Sequence, residues 1–264
     1  MTPLASTRSR FTTGSPGSLI GAMAALVPLE SRRSLRNRRY LMFSIGFPVV
    51  FYLLFTSIGQ GSLSTAFKET YLVSMAAYGA IGAALSAAAI IALERSTGWA
   101  RQLRVTPLPP SAYVGAKLLV ATVTTVPAVI FVGLAAQLVN HVALPGAAWV
   151  QFVVSLGLGA IPFAAIALLI GYLAEGDSAQ PLVMLVYFPM AILGGLWFPI
   201  SALPTSLATI GSMLPSYHLA SLGMAAIAGR APDLTDIANL AAWTAVVGAL
   251  VVWRYRSSVK QPGA

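Results

Sequence analysis

Six stretches of the chain are almost uninterruptedly apolar: 40–57, 71–93, 117–139, 148–173, 181–198 and 237–253. Each approaches the roughly 20 residues that a helix needs to cross bilayer hydrocarbon, so the pattern predicts six transmembrane helices. Between the fifth and sixth lies a longer, semi-apolar segment, 199–236, punctuated by Pro199, Pro204 and Pro215. Leu207, Ile210 and Leu214 share one helical face, and Leu219 and Leu222 begin another. Each piece is too short to cross alone. The spacing therefore predicts an outer hairpin of two short helices dipping into the leaflet. At the other end of the chain, residues 1–17 are rich in Ser, Thr, Gly and Pro and read as a flexible tail. Leu19, Ile20, Met23, Leu26 and Val27 then follow helical spacing and run into a cluster holding Arg32, Arg33 and Arg36. Apolar spacing followed by dense Arg predicts an amphipathic helix over 18–39, lying in the membrane interface. The alternative is a plain basic flank of the first span. Residues 254–264 form a second tail.

Composition points the same way. Charged residues make up 9% and hydrophobic residues 57%, where a soluble domain carries roughly 25% charge. That excludes a soluble globular protein, and so much apolar surface excludes disorder. The expected class is an all-α polytopic membrane protein. Its 264 residues leave no room for a sizeable soluble domain beside six spans. Cysteine is absent, which excludes disulfides, Cys-ligated metal and thiol catalysis.

The 16 Lys and Arg outnumber the 7 Asp and Glu, for a net charge of +9. Such a balance often marks nucleic-acid binding. Here the basic residues flank the apolar stretches, so no nucleic-acid partner is expected and topology is the better reading. Fourteen Lys and Arg fall on one side of the six-span arrangement and two, Lys68 and Arg230, on the other. The richer side is cytoplasmic, and both termini lie there. The first forty residues carry Arg but no signal-type apolar core, so no cleaved leader is expected.

The chemistry-bearing residues are sparse. No Asp or Glu lies inside the six stretches, and His141 and His218 fall in outer loops. Proton coupling through the membrane core and an intramembrane metalloprotease both need such groups. His218 stands near Ser216 and beside Tyr217. It reads as an ordinary interfacial residue rather than part of a Ser–His protease. The chain has no Gly-Lys dipeptide, hence no Walker A loop. Any ATP that drives it is bound by another polypeptide.

The loop 94–116 is more informative. Thr97 is placed to cap a helix beginning near Gly98. Trp99, Leu103 and Val105 offer apolar contacts, Arg101 and Arg104 point elsewhere, and Pro107, Pro109 and Pro110 end the helix. A short basic helix on the cytoplasmic face suits a groove on a partner.

At this loop the chain resembles the permease subunits of ABC-2-type exporters, including drug-resistance permeases of the daunorubicin type. The shared pattern is Glu94, Gly98, Leu103, Thr106-Pro107-Leu108 and Lys117. A second match is Leu35-Arg36-Asn37, Arg39-Tyr40 and Phe47-Pro48; a third is Gly195-Leu196-Trp197-Phe198-Pro199-Ile200, then Leu203-Pro204 and Leu214 through His218. The matches extend from about residue 20 to the last span. Pro110 departs from the pattern, where many relatives have a polar residue.

The resemblance implies a bacterial inner-membrane exporter built from two permease copies and two separate ATP-binding subunits, with ATP and Mg held by the latter and no cofactor or metal on this chain. It implies that Glu94, Gly98, Trp99, Arg101, Leu103, Arg104 and Pro107 couple to the ATPase. Glu94 is expected to pair with an Arg of the partner or to hold the coupling helix through Arg95 or Arg32. It also implies a dimer seam near Gly194 and Gly195, either homodimeric or heterodimeric. Tyr52, Phe55, Tyr187, Phe188 and Met190 are candidates for the substrate path, because aromatic and Met side chains suit bulky amphiphiles. The expected cargo is an apolar or amphiphilic drug, antibiotic or lipid. The rivals are a permease for a polysaccharide or lipid-linked glycan, an intramembrane enzyme, and a membrane subunit that docks an ATPase without transporting.

Overall fold

The computed structural model describes residues 28, 31–32, 36–58, 64–97, 110–174 and 178–259. Among them there is no strand. The first helical stretch runs from Arg38 through a π-helical turn, Leu41–Gly46, into α1, Phe47–Ser57. Then follow α2 (Thr65–Leu85), α3 (Ala87–Ser96), α4 (Pro110–Asn140), α5 (Gly146–Gly159), α6 (Ile161–Leu173) and α7 (Ala179–Leu193). Two short helices, α8 (Thr205–Met213) and α9 (Pro215–Ile227), precede the last helix, α10 (Leu234–Val259).

Among the described residues, four helical stretches are long and apolar enough to cross a membrane: Thr65–Ser96, Gly115–Asn140, Gly146–Leu173 and Leu234–Arg254. The stretches expected at 40–57 and 181–198 fall on shorter apolar helices, Leu41–Ser57 and Ala179–Leu193. The chain is thus an all-helical protein with the build of a polytopic membrane protein.

Several expected helix limits differ, two of them for clear physical reasons. The helix expected at 117–139 begins earlier, at Pro110. Proline suits a first helical turn because its fixed φ is already helical and the missing N–H has no partner to lose. Instead of only ending the preceding loop, Pro110 opens the next helix. The helix expected over 181–198 stops at Leu193. Leu196 N–H donates to the carbonyl of Ala191 and Gly195 N–H to that of Ile192, while Gly195 adopts φ +80°. This is a Schellman cap, which takes glycine because a left-handed residue carries no Cβ penalty there.

The core is centred on α2, where Leu72 to Leu85 is buried apart from Gly82. Helix α2 packs on α1, α4, α6 and α9, α3 and α10 pack on α6, and α9 packs on α5. Small residues set the spacing. A Cβ at Gly79 would meet the Ser44 carbonyl oxygen at 2.8 Å, and one at Gly159 would meet Leu219 at 2.5 Å. Such close approach stands in for a hydrophobic driving force, which helices lack in lipid. Large apolar residues such as Leu138, Val150 and Leu185 face outward, 72%, 66% and 69% exposed, as a hydrocarbon surround allows.

Candidate functional site

Two features lie at the end of the bundle that carries Arg36, Arg95 and Lys117, called here the basic end. The first is a buried ion pair. Helix α3 delivers Glu94 in its last turn, and α4 delivers Lys117 two turns after it starts. Lys117 Nζ donates to Glu94 Oε1 at 3.0 Å, with the residues 4% and 7% exposed. Two charges removed from water stay ionised only when they compensate each other. The pair therefore clamps together the two helices that flank residues 98–109. Sequence reasoning looked for the partner in Arg95 or Arg32 and used Lys117 only as a motif residue and a topology marker. Arg95 instead turns to α6, donating to the carbonyls of Gly171 and Tyr172 with its guanidinium 5.4 Å above the Tyr172 ring. It thereby satisfies carbonyls that a helix end leaves without partners. Thr97 follows α3, its hydroxyl donating to the Leu93 carbonyl at 2.9 Å; the helix expected to begin near Gly98 lies outside the described residues. Gly98, Trp99, Arg101, Leu103, Arg104 and Pro107 lie outside the described residues, as do Arg33 and nearly all of 18–35.

The second feature is a cavity of about 900 Å³ between the first helical stretch, α2–α3 and α7. Arg36, Asn37 and Gln180 stand at its mouth, and Ser44, Gly82 and Tyr187 close its inner end. Between them the wall is mainly apolar, with Phe43, Ile90, Val183 and Met184. No carboxylate is among the described lining residues. The inner wall is held by specific contacts. Tyr187 donates to the Tyr78 carbonyl at 2.7 Å and stacks on the Tyr78 ring at 4.4 Å between centroids. Glycine at 82 makes room for it, since a Cβ there would lie 2.7 Å from the Tyr187 hydroxyl. Tyr40 donates to the Thr124 carbonyl, which lies beside Pro127 inside α4. Pro127 has no N–H to give the Val123 carbonyl, one residue before the carbonyl that Tyr40 meets.

Of the expected path residues, Tyr187 lines the cavity. Tyr52 is fully buried in the core. Phe55 belongs to a ladder of rings along the first helical stretch, Phe43, Phe47, Phe51 and Phe55, with neighbouring centroids 6.5, 4.3 and 5.7 Å apart. Phe188 is 36% exposed and meets Trp197 edge-on, while Trp197 stacks on Phe51. Met190 packs at the core margin. Ser44, an isolated polar residue in an apolar stretch, and Gln180, at the edge of one, carry no spacing signal, and Asn37 entered only as a motif residue.

Gly194 and Gly195 both have roles within the chain. A Cβ at Gly194 would lie 2.1 Å from Ser216 Oγ, so α7 ends in tight contact with α9. Gly195 forms the cap described above.

The far end holds a pair that the sequence reading missed. His218, expected as an ordinary interfacial residue, is buried within the bundle: it is 6% exposed, and Asp236 5%. His218 Nδ1 lies 2.7 Å from Asp236 Oδ1, joining α9 to the first turn of α10. Asp236 Oδ2 has no hydrogen-bond partner among the described residues. Ser216 is not part of this contact. Two residues apart on a helix do not face each other, and Ser216 donates to the Met190 carbonyl at 2.7 Å. The three residues do not form a nucleophilic triad.

A family model described as "ABC-2 family transporter protein" matches residues 60–253. The chain belongs to this ABC-2 transporter family. A Bacillus subtilis (strain 168) protein named "Putative transport permease YvfS" is 31% identical over 217 residues, covering 81% of this chain and 89% of that protein. As an ABC-2 family member, the chain is a transport permease whose relatives work with ATP-binding subunits. The clamp, on α3 and α4, and the cavity walls supplied by α2, α3 and α7 lie inside the matched region, which the Arg36–Ser44 wall precedes.

Proposed function

We propose that the chain is the membrane subunit of an ATP-driven exporter that moves an amphiphilic drug, antibiotic or lipid-like molecule out of a bacterial cell. It crosses the inner membrane six times with both termini in the cytoplasm, and two copies act with separate ATP-binding subunits that carry ATP and Mg. The observation that carries the reading is the cavity: polar at a mouth on the basic end, apolar inside, and of drug-binding size. The positive-inside pattern puts that mouth on the cytoplasmic side. The Glu94–Lys117 clamp holds the roots of the loop 98–109, where the ATP-binding subunit docks, so closure of that subunit pulls on α3 and α4. Helix α3 is also a cavity wall, which gives the ATPase a short route to the cargo.

The test is co-reconstitution in liposomes with the ATP-binding subunit, following ATP-dependent movement of a dansyl-labelled dodecyl probe. Movement should require both proteins. Ala89→Trp, which fills the cavity from α3, should slow it at least about tenfold, as expected for a side chain placed across a preformed pocket. Wild-type movement in that variant, or movement that ignores the ATPase, overturns the reading. The ladder Phe43–Phe55 favours one second reading, a lipid-linked glycan as cargo, because stacked rings suit sugar faces. A lipid-linked disaccharide that outcompetes the dodecyl probe would select it.

A further inference from the structure

Three candidates outside the reaction reading repay comparison: the His218–Asp236 pair, the ring ladder and the charge pattern of the cavity. The cavity carries the most. Among the described residues the cavity's lining includes Arg36 and no Asp or Glu, which puts a full positive charge at the mouth. Arg36 is exposed and forms no ion pair among the described residues. A guanidinium binds phosphate, sulfate and carboxylate groups through paired donors. Deeper in, Ser44 is fully buried, yet its hydroxyl has no hydrogen-bond partner among the described residues. A buried hydroxyl without a partner is costly unless something else supplies one. Ser44 lies within the π-helical turn Leu41–Gly46, a distortion often found at functional sites.

We propose that the cavity binds an anionic amphiphile, with the acidic headgroup on Arg36 at the mouth, an apolar body along Phe43, Val183 and Met184, and a polar atom meeting Ser44. This rests on the exporter reading and narrows its cargo. The shared chemistry is an acidic headgroup on an apolar body. Its source is either a single-chain molecule from the cytoplasm or an anionic phospholipid from the leaflet.

The experiment uses the full complex with its ATP-binding subunit in nanodiscs of phosphatidylcholine. Two dansyl-labelled dodecyl probes differ only in the head, phosphate against trimethylammonium, and binding is read by energy transfer from tryptophan. The phosphate probe should bind about tenfold more tightly, the usual worth of a charge-assisted contact. Arg36→Gln should erase the preference, leaving the two probes within about twofold, while Ala89→Trp should abolish binding of both. Equal binding of both heads by the wild type, or a preference that survives Arg36→Gln, overturns the anion assignment and leaves the cavity reading intact. Failure of both probes to bind, or binding untouched by Ala89→Trp, overturns the cavity reading itself. Adding phosphatidylglycerol to the discs separates the sources. Competition with the phosphate probe assigns the site to leaflet lipid, and its absence assigns it to a single-chain cargo; both results support the acidic headgroup.

Discussion

The two ends of the bundle each hold a buried acid–base contact, built in different ways. At the basic end Glu94 and Lys117 meet at 3.0 Å and come from helices that adjoin in sequence, across residues 98–109. At the far end His218 and Asp236 meet at 2.7 Å, and the second carboxylate oxygen has no hydrogen-bond partner among the described residues. A Glu–Lys contact is held by two full charges. A His–Asp contact is charged on both sides only when histidine carries its second proton. The basic end therefore resembles a fixed clamp, placed where force from a partner would enter. The far end resembles an adjustable joint between the short helix α9 and the last helix.

The largest expected effect comes from breaking the clamp on one side only. Glu94→Gln or Lys117→Met leaves one buried charge without its partner and should cost about 3–5 kcal/mol. Thermal unfolding of the purified chain in nanodiscs would read this loss. The exchange Glu94→Lys with Lys117→Glu should restore most of it. If the exchanged protein is stable but its ATP hydrolysis no longer moves cargo, Glu94 also contacts the ATP-binding subunit, as the family resemblance implies. Recovery of both stability and transport would confine Glu94 to the clamp. Full stability in the single variants would remove the clamp altogether.

How much of this could be read beforehand differs between features for physical reasons. The apolar stretches were legible because bilayer thickness imposes a length on every span. The hairpin of short helices was legible from Pro204 and Pro215, which stand immediately before or at the first residue of α8 and α9. The overrun of the fifth stretch was avoidable: Gly194-Gly195 is a helix stop, but Leu196 to Phe198 kept the hydropathy high across it. Partners between helices were not legible. A helix that is apolar all round has no face to read from its periodicity, so nothing in the sequence aimed Lys117 at Glu94 or His218 at Asp236. The cavity is harder still, since it depends on which small residues, such as Gly82, allow neighbouring helices to close in.

The smallest expected effect lies at the far end and tests whether that contact is a joint rather than a second clamp. His218→Ala strips Asp236 of the partner it has, so both carboxylate oxygens would be buried without donors. Asp236→Asn keeps a side chain of the same shape and removes the charge. The two substitutions should therefore be unequal: about 1–3 kcal/mol for His218→Ala, the cost of an unsatisfied buried group, and near 1 kcal/mol for Asp236→Asn, the net worth of an ordinary hydrogen bond. Thermal unfolding would rank them, and site-specific hydrogen exchange over α9 would locate the change. If α9 alone loses protection while α2 and α6 keep theirs, the contact fastens a local element, as a joint does. A loss of 3 kcal/mol or more from either variant, with protection falling across the whole core, would make the far end a clamp equal to the basic one, and the contrast between the two ends would fail.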